Sequence, residues 1–201
     1  VAFDSPMVDM VSTLIGPDVK FLHSKINLKL AHTETQVGFH RDFSYVPHTN
    51  PDVVTALLLL DDMTLENGCL MGVPGSHLEG QSTLWRGDVF TGEVDAKMTE
   101  SCKQRAKPVT GQAGDVCLMH AELLHGSEPN HSGRSRGLYI CMYSASDAFL
   151  LCPNSLPNHF EGSIVRGEPA THARLREGRV ELPEDSHRAS FFQVQSEHLN
   201  D

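Results

Sequence analysis

Gly38-Phe39-His40-Arg41-Asp42-Phe43 is the stretch around which the chain is organised. In an extended strand, side chains two positions apart point to the same face. His40 and Asp42 then aim an imidazole and a carboxylate at a common point, while Phe39, Arg41 and Phe43 face the other way. A neutral imidazole beside a hard carboxylate is two thirds of the two-histidine, one-carboxylate triad that holds non-haem Fe(II) and leaves metal positions open. The missing third is expected to be a histidine far downstream, returned by the fold. Two follow the Gly114-Asp115 turn, His120 and His125, and Arg136 comes eleven residues after the second. Among twelve histidines a lone His-x-Asp pair is a weak signal. A downstream His-Gly-Ser and an arginine at a set distance make it a strong one.

Outward from that stretch, the chain reads as short strands. Residues 5–16 predict a helix, with Ser5 as cap, Pro6 in the first turn and Gly16-Pro17 as its end. Met7, Met10, Val11 and Leu14 form one apolar stripe at helical spacing, expected to pack on the core. From Val19 the period changes. Ile26, Leu28 and Leu30 alternate with Asn27 and Lys29, which predicts a strand with one apolar and one polar face.

Beyond the His40-Asp42 strand, residues 53–60 are apolar except for Thr55 and suited to a central strand buried on both faces. Residues 69–73 and 116–119 are short strands, and Arg136 opens a last one in which Leu138, Ile140 and Met142 alternate. Residues 78–107, with the lone Trp85, read as a long loop holding one short strand or helix. The tail at 153–201 is irregular, with a short helix near residues 171–177. Many short strands separated by turns predict an all-β core with flanking helices, a sandwich or jelly roll. One domain spans 1–201, with its core at about 20–145.

Ile26-Asn27-Leu28, His40-Arg41-Asp42, Asn67-Gly68-Cys69-Leu70, Pro74-Gly75-Ser76-His77, Gly114-Asp115-Val116 and His125-Gly126-Ser127 with Arg136 together resemble a known family. It is the phytanoyl-CoA dioxygenase-like family of Fe(II)/2-oxoglutarate-dependent oxygenases, which includes ectoine hydroxylase. The pieces come in the family's order and cover roughly residues 26–143.

The resemblance implies a double-stranded β-helix, the cupin-like jelly roll. It implies metal ligands at His40, Asp42 and His125. His125 is selected over His120 because the family's distal histidine precedes Gly-Ser and stands eleven residues before the co-substrate arginine. It implies Arg136 on the far carboxylate of 2-oxoglutarate, leaving Arg134 solvated in its turn. Ser127 is implied on the same carboxylate, and Asn27, thirteen residues before His40, as another contact. Lys29, on the face of Asn27, is a further candidate.

The activity implied is hydroxylation of a small molecule using Fe(II), 2-oxoglutarate and O2, with decarboxylation to succinate and CO2. Relatives that halogenate carry Ala or Gly at the carboxylate position, so Asp42 favours hydroxylation. The alternatives are a non-oxidative cupin-like metal-binding protein and a Zn(II) hydrolase or isomerase with the same ligands. Both leave Arg136 with no carboxylate to hold. Arg41, Phe43, Tyr45, Trp85 and His131 are candidates to line the substrate pocket. At least one of the segments 78–107 and 153–201 is expected to cover its opening.

The totals fit this. With 201 residues, 39% hydrophobic and 21% charged, the chain suits a single globular domain. A net charge of −10 argues against nucleic acid or an anionic membrane as main partner. The longest apolar run, residues 56–60, is too short to span a bilayer. The chain starts at Val1 and shows no basic-then-apolar leader. Five cysteines without a C-x-x-C pair read as free thiols in a reducing cytoplasm. A monomer or homodimer is expected.

Overall fold

The computed structural model describes residues 1–80 and 82–183. A helix, α1 (Pro6–Ile15), precedes the long strand β1 (Val19–Lys29), then β2 (Val37–His40), β3 (Val53–Leu59) and β4 (Leu70–Gly72). A small hairpin, β5 (Trp85–Arg86) with β6 (Val89–Phe90), leads into a second helix, α2 (Ala96–Arg105). β7 (Lys107–Val109), β8 (Val116–His120), β9 (His125–Ser127), β10 (Arg136–Ala145) and β11 (Ile164–Arg166) complete the order.

The strands form two facing sheets. One is five-stranded in the order β11-β1-β10-β3-β8, the other four-stranded in the order β2-β9-β4-β7. Apart from the edge strand β11, the chain crosses repeatedly between them: β1 and β3 belong to one sheet, β2 and β4 to the other, and β7 to β10 return alternately. All the pairings are antiparallel. This is the expected double-stranded β-helix.

Alternation sets the faces of the larger sheet. On β3, Val54 and Ala56 pack with α1, while Thr55 and Leu57 look into the space between the sheets. On β10, Cys141 and Tyr143 join the helix side, while Leu138, Ile140 and Met142 point inward. The expected central strand is thus buried on both faces. α1 starts at Ser5, carries Pro6 in its first turn and ends at Gly16, whose φ of 105° favours glycine. It buries Met7, Val8, Val11 and Ile15. At about 1.5–3 kcal/mol for each fully buried aliphatic side chain, this stripe fixes the helix to the sheet. Met10 and Leu14, expected in the stripe, are exposed. The contact line runs one position away from them.

β1 has the two faces that its sequence reading gave, and the polar one turns inward. The polar residues His23, Lys25 and Asn27 point inward, while Ile26 and Leu28 are 63% and 61% exposed. A bulge is the cause. Phe21 pairs with Tyr143 and His23 with Met142, so Leu22 is the extra residue. Before it, Val19 and Phe21 face α1; after it, odd-numbered residues face the interior. One inserted residue exchanges the two faces of everything that follows.

The four-stranded sheet is covered on its outside by the segment that read as a loop. Leu84, Phe90, Val94 and Cys102 pack with Phe39, Val73 and Leu124. α2 is capped by Asp95, whose side chain accepts from Met98 N at 2.7 Å. The tail contains no helix at 171–177; main-chain bonds of Arg174 to Asp147 and Arg176 to Thr49 hold it extended along the body. Part of the predicted tail, 184–201, lies outside the described residues. Among the described residues, no helix is long and apolar enough to cross a membrane.

Candidate active site

His40, Asp42 and His125 meet in the space between the sheets. β2 and β9 pair antiparallel with His40 directly opposite His125, which puts their rings 4.2 Å apart between centroids. The strand that was expected to carry both His40 and Asp42 stops at His40. Arg41 is still extended, and Asp42 opens a tight turn with Phe43 and Ser44. Phe43 N donates to Ala121 O at 2.9 Å, tying that turn to the end of β8. The two-residue spacing survives because only Arg41 lies between, and the turn swings the carboxylate under both rings.

Each donor atom is oriented by a second bond. His40 Nδ1 lies 2.8 Å from Gly38 O, and His125 Nδ1 lies 2.9 Å from Leu123 O. A ring that donates from Nδ1 presents the Nε2 lone pair. Both Nε2 atoms face Asp42 Oδ1, at 3.6 and 3.7 Å. Thr55 donates its hydroxyl to Asp42 Oδ2 at 2.6 Å, leaving Oδ1 to the site. The donor atoms lie within 4.8 Å of one another, and no other such group occurs among the described residues. Burial pushes the His125 imidazole down to about 4, with His40 adding to the effect. Burial opposes ionisation of Asp42, but the neighbouring imidazoles of His125 and His40 and the bond from Thr55 hold its carboxyl below the ordinary range. A neutral His125 imidazole beside an ionised carboxylate suits a borderline divalent cation such as Fe(II).

The same cavity is lined by Arg136, which is 2% exposed. Its Nη2 donates to Gly68 O at 2.7 Å, while Nε and Nη1 are buried without a partner. Two buried, unmet nitrogens of a cationic side chain that lines a cavity suit an anion, since leaving them unmet is costly. Asn27 and Ser127 line the same cavity, so all six site residues expected from the sequence come together. Arg134 is exposed, and His120 stays outside the triad, its Nδ1 accepting from Glu122 N at 3.1 Å.

None of the five expected pocket residues lines the cavity. Arg41 is buried and donates to Glu122 O and Gly80 O, and Phe43 packs with Leu22 and Val46. Tyr45 bonds Gly92 O, Trp85 packs on Phe90, and His131 is exposed. Nor does any described residue of the two expected covering segments line it. The tail touches its wall through Asn154, which holds His23 at 2.8 Å. His23, Lys25, Thr55 and Met119 are lining residues that the sequence did not single out.

A profile of the family described as phytanoyl-CoA dioxygenase (PhyH) matches residues 1–138. The chain belongs to the phytanoyl-CoA dioxygenase family. Among relatives, it is 33% identical over 183 residues to a probable alpha-ketoglutarate-dependent hypophosphite dioxygenase of Stutzerimonas stutzeri, covering 88% of this chain and 62% of that protein. It is 28% identical to the L-proline trans-4-hydroxylase of Streptomyces griseoviridis, covering 69% and 59%. A solved structure of EctD from S. alaskensis with 2-oxoglutarate and 5-hydroxyectoine superposes with a TM-score of 0.65 at 25% identity, covering 84% of this chain and 60% of that one. The chain therefore spans about three fifths of these phytanoyl-CoA dioxygenase relatives.

Proposed function

We propose that this chain is the catalytic core of an Fe(II)- and 2-oxoglutarate-dependent dioxygenase that hydroxylates a small polar molecule. The observation that carries the reading is one cavity lined both by the triad of His40, Asp42 and His125 and by the under-partnered Arg136. A zinc hydrolase or a non-oxidative metal protein needs the first and has no use for the second.

In this reading His40, Asp42 and His125 hold the metal from one side and leave the other side open. Iron bound there supplies oxidation of the substrate by O2, coupled to decarboxylation of 2-oxoglutarate to succinate and CO2. Arg136 answers the far carboxylate of 2-oxoglutarate with charge-assisted N–H donors from a planar guanidinium, a group that lysine lacks. Ser127 and Asn27 add polar contacts along the same molecule. Leu57, Leu138 and Ile140 make the wall apolar and exclude water, while His23 and Lys25 supply polar groups. The small polar substrates named for relatives, hypophosphite and L-proline, agree with a pocket of this mixed character.

The test is anaerobic reconstitution with Fe(II), followed by O2 and measurement of succinate formed from 2-oxoglutarate. Turnover is expected to need Fe(II), to stop with a chelator, and to be lost in His40→Ala and His125→Ala while both variants stay folded. Zn(II)-supported turnover with 2-oxoglutarate left intact would overturn the reading.

A further inference from the structure

One buried charge near the co-substrate pocket has no part in the scheme so far. Lys29, at the end of β1, is 5% exposed. Its ammonium donates to two uncharged oxygens, Ser127 Oγ at 2.7 Å and the Glu128 carbonyl. Asn130 fixes its main chain by donating to Lys29 O at 3.0 Å.

Gly68 shapes the arrangement. Its φ of +72° and bare Cα admit the lysine stem: a Cβ there would lie 2.8 Å from Lys29 Cδ and 2.4 Å from Glu128 O. The same residue offers its carbonyl to Arg136. The charged and titratable groups about Lys29 are Arg136, which repels it, and Glu128 and Cys69, which favour its charge. Burial first, and then Arg136, bring its pKa down to about 8.

A hydroxyl has one proton to give. With the Lys29 ammonium donating to Ser127 Oγ, that proton must go elsewhere, and the cavity is where Ser127 meets Arg136. We propose that Lys29 is a positioning residue for the co-substrate: by donating to Ser127 Oγ it makes the Ser127 hydroxyl a donor to the carboxylate that Arg136 holds. The inference rests on the co-substrate reading above.

A neutral Lys29 amine can accept instead, and draws the Ser127 proton away from the cavity. A bound carboxylate favours the ammonium, so binding raises the lysine pKa above its value of about 8. Protons are then taken up on binding at alkaline pH. Affinity for 2-oxoglutarate therefore falls as pH rises, by up to about tenfold per unit above that pKa.

Calorimetric titration of 2-oxoglutarate into the anaerobic Fe(II)-loaded protein tests this at about pH 7 and about pH 9. Lys29→Met and Ser127→Ala are each expected to weaken binding roughly tenfold at the lower pH. The double variant should be no weaker than Ser127→Ala, because Lys29 acts through that hydroxyl. Wild type should lose roughly tenfold at the higher pH, Lys29→Met little, and Ser127→Ala less than wild type. Should Lys29→Met fail to fold, the pH comparison between wild type and Ser127→Ala decides. An alkaline loss as steep in Ser127→Ala as in wild type, or single effects that simply add, overturns the proposal. Tight binding in Lys29→Met overturns it too and leaves the co-substrate reading standing. A wild type that takes up no 2-oxoglutarate overturns both.

Discussion

Arg136 keeps one nitrogen occupied on Gly68 O and two buried and unmet. Leaving them so costs the folded chain stability that a bound carboxylate restores. Arg136→Lys keeps the charge and removes the planar fork. Losing one charge-assisted bond costs about 1.5–3 kcal/mol, so the KM for 2-oxoglutarate is expected to rise roughly ten- to a hundredfold. Fe(II) affinity should barely move, since no metal ligand touches the guanidinium. Steady-state kinetics beside metal titration check this, and equal losses in both would show that the substitution had disturbed the fold. At this scale the sequence was informative about groups with unusual chemistry, the triad and Arg136. It was silent about Thr55 and His23, because a threonine in an apolar run and one of twelve histidines look like packing until Asp42 and Asn154 are beside them.

The pair β2 and β9 is the element on which the metal site depends. Gly126 lies between His125 and Ser127, and a Cβ there would stand 2.7 Å from Val37 O and 3.4 Å from Gly38 C. Those atoms are main chain of the opposite strand and have no rotamer to escape into. Gly126→Ala is therefore expected to push β2 away from β9, costing roughly 1–3 kcal/mol of stability. Because His40 faces His125 across that pair, metal affinity should fall together with the unfolding free energy. Denaturant unfolding and a metal titration on the same variant measure both; an unchanged metal affinity would mean that the strands have slack the structure does not show. Element type was legible wherever one period ran unbroken, as in α1, β3 and β10. At β1 the alternation of Ile26, Leu28 and Leu30 was legible too, but which face turns inward was not. The single unpaired Leu22 inverted it, and a bulge leaves no mark in hydrophobic periodicity.

For the molecule as a whole, buried histidines tie stability to pH. His48 is 1% exposed, donates from Nδ1 to Val46 O at 2.6 Å, and has its pKa brought down to about 4 by burial. The unfolded chain takes up that proton near pH 6.5, whereas the fold resists it. The stabilising contribution is therefore complete above about pH 6.5 and is lost as pH falls towards about 4, where it amounts to about 3 kcal/mol. Urea unfolding of metal-free protein at about pH 7 and about pH 4.5 should show this loss, and His48→Leu should show a smaller one. Equal losses would place the titrating group elsewhere. The sequence by itself determined the sheet-rich class, the extents of α1 and β3 to within a residue, and the residues that the fold gathers along one cavity. These are set by local period and by side chains whose chemistry has few other uses. The tertiary structure alone decided that the polar face of β1 lines the cavity, that residues 78–107 cover the outside of the smaller sheet, and that Lys29 meets Ser127. Each of these depends on which strands pair and where a bulge falls, and such long-range contacts are fixed by the packing of the whole chain rather than by any stretch of it.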